Sequence, residues 1–354
     1  MRVLHLIPTL GGGGAEKQLS MLAPSMAQQG CETAVAYRSG GTNLEALRSG
    51  AAEIFSLPQR GNHHPLQPWD VLSLVRMWRP DLVQTWLTQM DIVGGMVARM
   101  TGTPHILSER SSAKMYSGGW KDKARIAIGK SANGIIANSQ GGADYWQGLN
   151  ASGQIIVIPN AIKPLNAVKP DHPWDGKPYF LSAGRLSHEK NAVTAAKAII
   201  AAVERSSNIY GAIVGDGPDG DFIAELTAKS SASARLRMVG YSNDLEAWLR
   251  HATAYISASY VEGQPNVVIE AAQARCPLIL SSIGPHREAV GEGAVYIDAD
   301  DIAGFANALA MTATDPSASA TRLELAFAHT GLSALEKITA SHVEFYHHVL
   351  AGQS

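Results

Sequence analysis

Short apolar, β-branched runs alternate along the whole chain with longer stretches whose apolar positions recur every three to four residues. In the first half the runs predict strands at Val3–Ile7, Thr33–Tyr37, Glu53–Leu57, Leu82–Thr85, His105–Ser108, Gly134–Ala137 and Ile155–Ile158. Helical patterns fall between them at Ala15–Gln28, Pro68–Trp78, Asp91–Met100, Lys121–Ser131 and Gly141–Leu149. The second half repeats the scheme, with strands at Tyr179–Ala183, Gly211–Val214, Leu236–Val239, Ala254–Ser257, Pro277–Ser281 and Ala294–Ile297. Its helices are expected at Asn191–Arg205, Asp219–Lys229, Asn243–His251, Val267–Arg275 and Ala303–Thr312, and a last one covers Leu335–Leu350. Strands alternating with helices in this way predict an α/β chain of parallel sheets with crossover helices. The segment PNAIKPLNAVKPDHPWDGKP, with five prolines and little periodicity, reads as a linker. The expectation is two doubly wound domains, residues 1–165 and 166–354, with the last helix able to pack on either. Ligands in such sheets sit at the carboxyl ends of the strands, and two sheets facing each other would form a cleft.

Composition supports a globular reading. The chain has 354 residues, enough for about two domains, with 45% hydrophobic and 17% charged residues. A net charge of −2 argues against a nucleic-acid partner. That total hides a split: residues 1–165 hold 15 basic and 10 acidic side chains, and residues 166–354 hold 14 and 21. Two cysteines far apart, Cys31 and Cys276, suit neither a disulfide scaffold nor a structural zinc site and fit a reducing compartment. The N-terminal apolar run is short, and no apolar stretch reaches the ~18–20 residues of a membrane span. A cytoplasmic protein is expected, free or attached to the inner face of the membrane.

Several loops carry candidate chemistry. Gly11 to Gly14 separates the first strand from the first helix, where a backbone can approach a ligand and helix N–H groups can meet an anion, although a plain tight turn has the same sequence. Gly184-Arg185-Leu186-Ser187-His188-Glu189-Lys190-Asn191 places two cations on one loop after a strand. Arg185 offers a fork to phosphate oxygens and Lys190 a mobile point charge, which together suit a departing diphosphate. Gly215-Asp216-Gly217-Pro218 is a second turn after a strand. Glu262-Gly263-Gln264-Pro265-Asn266-Val267-Val268-Ile269-Glu270 is the strongest feature: an irregular loop, Asn266 as a plausible helix cap, and Glu270 about one turn into the helix, where a carboxylate can accept from a ribose diol. Glu262 would hold sugar hydroxyls and offset charge on an anomeric carbon.

No metal site is expected. His63-His64 and His347-His348 are adjacent pairs that do not easily face one ion, and neither a His-Glu-x-x-His motif nor a Walker A loop occurs. Residues 110–130 hold Arg110, Lys114, Lys121, Lys123, Arg125 and Lys130 against Asp122, interleaved with Met115, Tyr116 and Trp120. That mixture suits an anionic membrane surface or a lipid diphosphate.

Read in order, the stretches VIPNAI (157–162), GRLSHEKN (184–191), IVGDGP (213–218), VGYSNDLEAWL (239–249), EGQPNVVIEA (262–271) and a Pro277–Val290 segment containing IGPHREAV resemble the retaining glycosyltransferases of family 4, which have the two-domain GT-B fold. GGGGAEKQL (11–19) is similar to that family's first loop. The resemblance implies a donor diphosphate at Arg185 and Lys190 near Gly184 and Gly215. It implies the donor ribose at Glu270, and the donor sugar at Glu262 with Gly263, Gln264, Pro265, Asn266 and Val267. Tyr241 falls where the family places main chain near the nucleotide base. Gly12, Gly13 and Gly14 would approach the donor phosphates or the acceptor. Relatives commonly place histidines where this chain has Trp86–Asp91 and Ser108–Ser111. Gln89 would then replace an imidazole at the sugar, and Glu109 or Arg110 would contact the acceptor.

The reading that follows is transfer of a sugar from a nucleotide diphosphate sugar to an acceptor hydroxyl with retention, in polysaccharide or lipid-linked glycan assembly, without a metal. Two alternatives share the fold: a sugar-nucleotide 2-epimerase, and a non-catalytic subunit that binds a partner transferase.

Overall fold

The alternating runs become two parallel sheets. The computed structural model describes residues 1–352 apart from 49, 51, 62, 63, 111–115, 117, 163, 164, 167 and 169. In the first half β1 (Arg2–Thr9), α1 (Gly14–Gln28), β2 (Glu32–Ser39), α2 (Leu44–Arg48), β3 (Glu53–Ser56), α3 (Gln67–Trp78), β4 (Leu82–Trp86), α4 (Leu87–Thr101), β5 (His105–Glu109), α5 (Trp120–Gly129), β6 (Gly134–Ala137), α6 (Gln140–Gly148) and β7 (Gln154–Val157) follow one another. The second half runs β8 (Tyr179–Ala183), α7 (Ala192–Glu204), β9 (Tyr210–Val214), α8 (Gly220–Lys229), β10 (Leu236–Gly240), α9 (Leu245–His251), β11 (Ala254–Ser257), α10 (Asn266–Gln273), β12 (Leu278–Ser281), α11 (Gly284–Val290), β13 (Val295–Ile297), α12 (Ile302–Thr314), α13 (Ala320–Thr330) and α14 (Leu335–Ala351).

The chain divides into two compact units, Met1–Lys163 with Leu332–Ser354, and Pro164–Gly331. The first sheet is ordered β3-β2-β1-β4-β5-β6-β7 and the second β10-β9-β8-β11-β12-β13. Among the described residues the paired strands are parallel, from Val3 opposite Leu82 in β1–β4 to Phe180 opposite Ala254 in β8–β11. Each order reverses once, between β1 and β4 and between β8 and β11. At such a point the loops leaving neighbouring strands diverge and open a crevice, where open α/β sheets bind ligands.

β1 shows why the strands are apolar on both faces. Val3 and Ile7 bury against α1 and α14, while Leu4 and Leu6 bury against α3 and α4 on the other side. The second unit repeats this with Phe180, Ile213 and Ile256 packed on α7 and α12. The last helix, α14, belongs to the first unit. Phe345, Tyr346 and Val349 enter its core, Thr339 Oγ1 donates to Ser25 Oγ at 2.9 Å, and Tyr346 donates to Gln84. Ile162 donates to the Ser333 carbonyl at 2.9 Å, so the outgoing and returning chain segments are tied together.

Three helices are absent from the sequence expectations. Helices α2 and α11 are five and seven residues long, too short to show a period. Helix α13 buries only Ala326 and Thr330, so it has no apolar stripe to detect. Helix α4 begins at Leu87 rather than near Asp91, directly out of β4. Cys31 and Cys276 are free and buried. Among the described residues, no helix is long and apolar enough to cross a membrane.

Candidate active site

The second unit gathers its candidate residues on the loops that leave β8, β9 and β11. Gly184 ends β8 with its amide donating to the Val214 carbonyl, and Gly215 ends β9 with its amide donating to the Gly240 carbonyl. Gly215 adopts φ 129°, and a Cβ there would sit 1.9 Å from the Gly184 carbonyl oxygen. Only glycine allows these two loops to lie against each other. Farther along, the Glu189 carbonyl accepts from the amides of Tyr260 and Val261 at 3.0 and 3.3 Å. The loop carrying Arg185 and Lys190 is thereby joined to the loop carrying Glu262, across the point where the strand order reverses.

Lys190 Nζ and Glu262 Oε2 meet there at 2.5 Å. Glu262 is buried, whereas the Lys190 side chain keeps 35% of its exposure, enough to reach a ligand. Glu262 Oε1 accepts from Ser259 Oγ at 2.8 Å. Arg185 is exposed, and Tyr241, just past β10, is 62% exposed. Gly263, Gln264 and Val267 are half-buried and Pro265 is buried. Asn266 is the first residue of α10, with Pro265 in the cap position and no side-chain cap, which corrects the expected Asn266 cap. Glu270 is half-buried and lies four residues into that helix, one turn from its start.

A buried histidine lies behind Glu262, and the sequence reading passed over it. His286 Nδ1 is 2.9 Å from the Ser281 carbonyl, so that nitrogen carries the proton and Nε2 has none. Ser257 Oγ lies 3.4 Å from Nε2 and donates its one proton to Ser259 Oγ at 3.1 Å, and Ser259 donates to Glu262. Burial lowers the His286 pKa and keeps the ring neutral. Its only sequence signal was membership of the IGPHREAV stretch.

The first unit presents a different set. Gly13 caps α1 in an extended conformation and Gly14 is its first residue. The Glu16 carboxylate folds back so closely that a Cβ on Gly13 would lie 2.3 Å from Glu16 Oε2. Gly12 is exposed beside them. Across the strand-order reversal, Leu87 leaves β4 at φ 67°, a conformation leucine rarely takes. Gln89 follows and donates to Gln67 Oε1 at 3.2 Å.

Glu109 is not an acceptor contact. It is fully buried: Oε2 accepts from Arg125 Nη1 at 2.9 Å and from Trp146 Nε1 at 2.8 Å, and Oε1 accepts from Tyr116 at 2.6 Å. Arg125 Nε also donates to Asp91 Oδ2 at 2.7 Å, so one guanidinium ties two buried carboxylates. Desolvation raises the Asp91 pKa to about 6. Arg110 differs. It stacks 4.3 Å from the Trp86 ring, Nη1 donates to Asn160 Oδ1 at 2.8 Å, and Nε and Nη2 find no partner among the described residues. Burial lowers its pKa to about 10, leaving it charged near neutral pH.

The basic stretch 110–130 is therefore not one surface. Arg125 points inward and Arg110 lies half-buried, while Trp120, Lys121, Lys123 and Lys130 stay exposed. Lys114, Met115, Ser111 and His63 lie outside the described residues. Among the described residues, no group of three His, Cys, Asp or Glu side chains gathers to hold a metal ion.

Comparison with known proteins matches both halves. The family described as Glycosyltransferase Family 4 covers residues 12–164, and Glycosyl transferases group 1 covers residues 166–326. The lipopolysaccharide core biosynthesis glycosyltransferase LpsE of Rhizobium meliloti is 26% identical over 329 residues, 86% of this chain and 87% of that one. A glycogen synthase of Mycobacterium tuberculosis is 28% identical over 275 residues, 72% of this chain and 65% of its own length. Among solved structures, Anabaena Alr3699/HepE in complex with UDP-glucose has a TM-score of 0.81 at 19% identity, over 98% of this chain and 99% of that one. Sucrose-phosphate synthase from Thermosynechococcus elongatus has a TM-score of 0.81 at 18% identity, over 99% and 100%. At such identities the structures show the fold, which is GT-B. With one family profile on each half and the ordered motifs between them, the chain belongs to the family 4, group 1 glycosyltransferases.

Proposed function

We infer that this glycosyltransferase moves a sugar from a nucleotide diphosphate sugar to an acceptor hydroxyl, with retention at the anomeric carbon. The observation that carries the reading is the Lys190–Glu262 pair, held where the strand order of the second sheet reverses, with Arg185 and Glu270 on the same two loop–helix segments. In this reading Arg185 and Lys190 take the diphosphate and stabilise it as it leaves. Glu270 accepts from the ribose diol, and the Tyr241 main chain lies near the base. Glu262 and the backbone from Gly263 to Val267 hold the sugar, close to Gly184 and Gly215. The departing phosphate takes the acceptor proton on the face it leaves, so retention needs no separate base. The two cations supply the positive charge, and the reading calls for no metal.

The acceptor belongs to the first unit, near Gly12, Gly13, Gly14, Gln89 and Arg110, and the product is a polysaccharide or lipid-linked glycan. Bound UDP and UDP-glucose in the HepE structures support uracil as the first base to test. Exposed Lys121, Lys123, Lys130 and Trp120 support attachment to an anionic membrane from its cytoplasmic face.

The test is a thermal-shift panel of nucleotide sugars followed by incubation with the stabilising donor, since a ligand of the folded state raises its stability. Transfer to an added glycan with an unchanged anomeric configuration, read by NMR, is the expected result. A sugar nucleotide altered with no acceptor present would instead mean epimerisation. Absence of any stabilisation across the panel would overturn the donor reading.

A further inference from the structure

Helix α4 leaves β4 beside the reversal of strand order in the first sheet, and its first turns form one wall of a cavity of about 420 Å³. The segment leading into α3, the start of α3 and the start of α5 supply the rest. Pro68, Ile92, Val93, Met96 and Trp120 give it apolar walls, and His64, Gln67, Thr88, Gln89 and Lys121 are its polar lining. No acidic side chain lines it among the described residues. Trp120 in its lining is 65% exposed. Lys121 Nζ lies 5.9 Å from the Trp120 ring, and Lys123 is exposed two residues on.

A glycan alone would gain little from the apolar walls, which return none of the hydrogen bonds its hydroxyls lose from water, and Gln67 and Gln89 already bond each other. An aliphatic chain loses nothing polar on entering, and the volume is in the range of ligand pockets. Lys121 in the wall, with no carboxylate among the described lining residues, complements an anion at the head of such a chain. Gln89, one of the polar groups in the wall, is among the residues assigned above to the acceptor. We propose that this cavity takes the alkyl or prenyl chain of a lipid-phosphate acceptor, with the phosphate at Lys121. The proposal rests on the glycosyl-transfer reading and narrows its acceptor to an amphiphile with an anionic head.

Calorimetric titration of the full chain with octyl and decyl phosphate, each below its critical micelle concentration, tests it. Saturable binding is expected, with decyl phosphate tighter by about fifteenfold, since each of its two extra methylenes is worth roughly fourfold when buried. Met96→Trp should fill the cavity and abolish binding. Lys121→Glu, on an exposed position that leaves the fold intact, should weaken it at least fivefold. Equal affinity for the two chain lengths, equal affinity for uncharged decyl maltoside, or unchanged binding in both variants would overturn the proposal. So would binding to phosphatidylglycerol vesicles without binding to monomeric decyl phosphate, which would mean surface attachment only. A parallel thermal shift with UDP-glucose separates the two readings. Donor binding retained without alkyl phosphate binding sinks the cavity proposal alone, and the reverse sinks the donor reading alone.

Discussion

Lys190 and Glu262, 72 residues apart in the chain, form an ion pair with Nζ 2.5 Å from Oε2, where the strand order of the second sheet turns back. The two partners differ in freedom. Glu262 is buried with its second oxygen taken by Ser259, whereas Lys190 is partly exposed and can share its remaining N–H donors with an incoming anion. Lys190→Ala should therefore lose about 10–100-fold in affinity for UDP, the range of a hydrogen bond to a charged group, while affinity for uridine stays the same. Calorimetric titration with both ligands checks this, and equal losses for UDP and uridine would place the effect in the fold rather than at the phosphates.

The pattern of strands and helices was legible because both sheets are parallel and covered on both faces, so each strand is an apolar run and each crossover helix an amphipathic one. The loops of the second unit were legible too, because glycines and charges stand together at strand ends. The first unit was harder. Glu109 looked like an exposed loop acid after β5, yet a strand residue at a sheet's carboxyl end can point into the helix layer, and this one meets Arg125 and Trp146. Arg125 looked like part of a basic surface for the same reason. Sequence shows the charge of a side chain and not the direction it takes, and a buried ion cluster spread over α4, β5, α5 and α6 has no spacing of its own. His286 was missed because its partners, Ser257, Ser259 and Ser281, come from two other strands and a loop.

His286 should act on the reaction through Glu262 without touching substrate. Its ring packs 3.4 Å from Ser257 Oγ, Ser257 donates to Ser259 at 3.1 Å, and Ser259 holds Glu262 Oε1 at 2.8 Å. His286→Phe keeps the volume and removes the bonds. The expected outcome is a kcat about tenfold lower with nearly unchanged UDP affinity, because the diphosphate contacts stay in place while the sugar-side carboxylate loosens. Ser259→Ala should show the same split. Steady-state kinetics beside UDP titration decides it: a loss of UDP affinity equal to the loss of kcat would mean that the loop as a whole has collapsed.

Loss of Arg125 should weaken the first unit strongly. Arg125 neutralises Asp91 and Glu109 at 2.7 and 2.9 Å, and all three side chains are almost completely buried. Arg125→Met fills most of the volume but leaves two carboxylates without their counter-ion. Breaking a buried pair from one side costs about 3–5 kcal/mol. A triple variant that combines Arg125→Met with Asp91→Asn and Glu109→Gln should recover much of that. Urea denaturation of the parent and both variants reads the difference, and a single variant within about 1 kcal/mol of the parent would show that water reaches the cluster.

Acid should weaken the first unit before the second. Burial lowers the pKa of His5 and His342 from 6.5 to about 3, and that of His105 to about 4. His342 also faces the Arg110 charge, and His5 faces His342. These groups stay neutral in the folded chain, while the unfolded chain protonates them below about pH 6.5. Their contribution is thus complete above pH 6.5 and is lost as the pH falls toward their folded values. Each histidine adds a slope of up to about 1.4 kcal/mol per pH unit, with stability falling toward acid. His342→Leu removes one of the three; its Nδ1 bonds only the Ile338 carbonyl within α14, at 2.8 Å, so little else changes. Because two units can unfold separately, hydrogen exchange of the α14 amides between pH 7 and 5 is the suitable readout, after correction for the intrinsic pH dependence of exchange. The variant should show a slope shallower by about one histidine's share. The same slope in both proteins would mean that these imidazoles are protonated in the folded state and that burial does not hold them neutral.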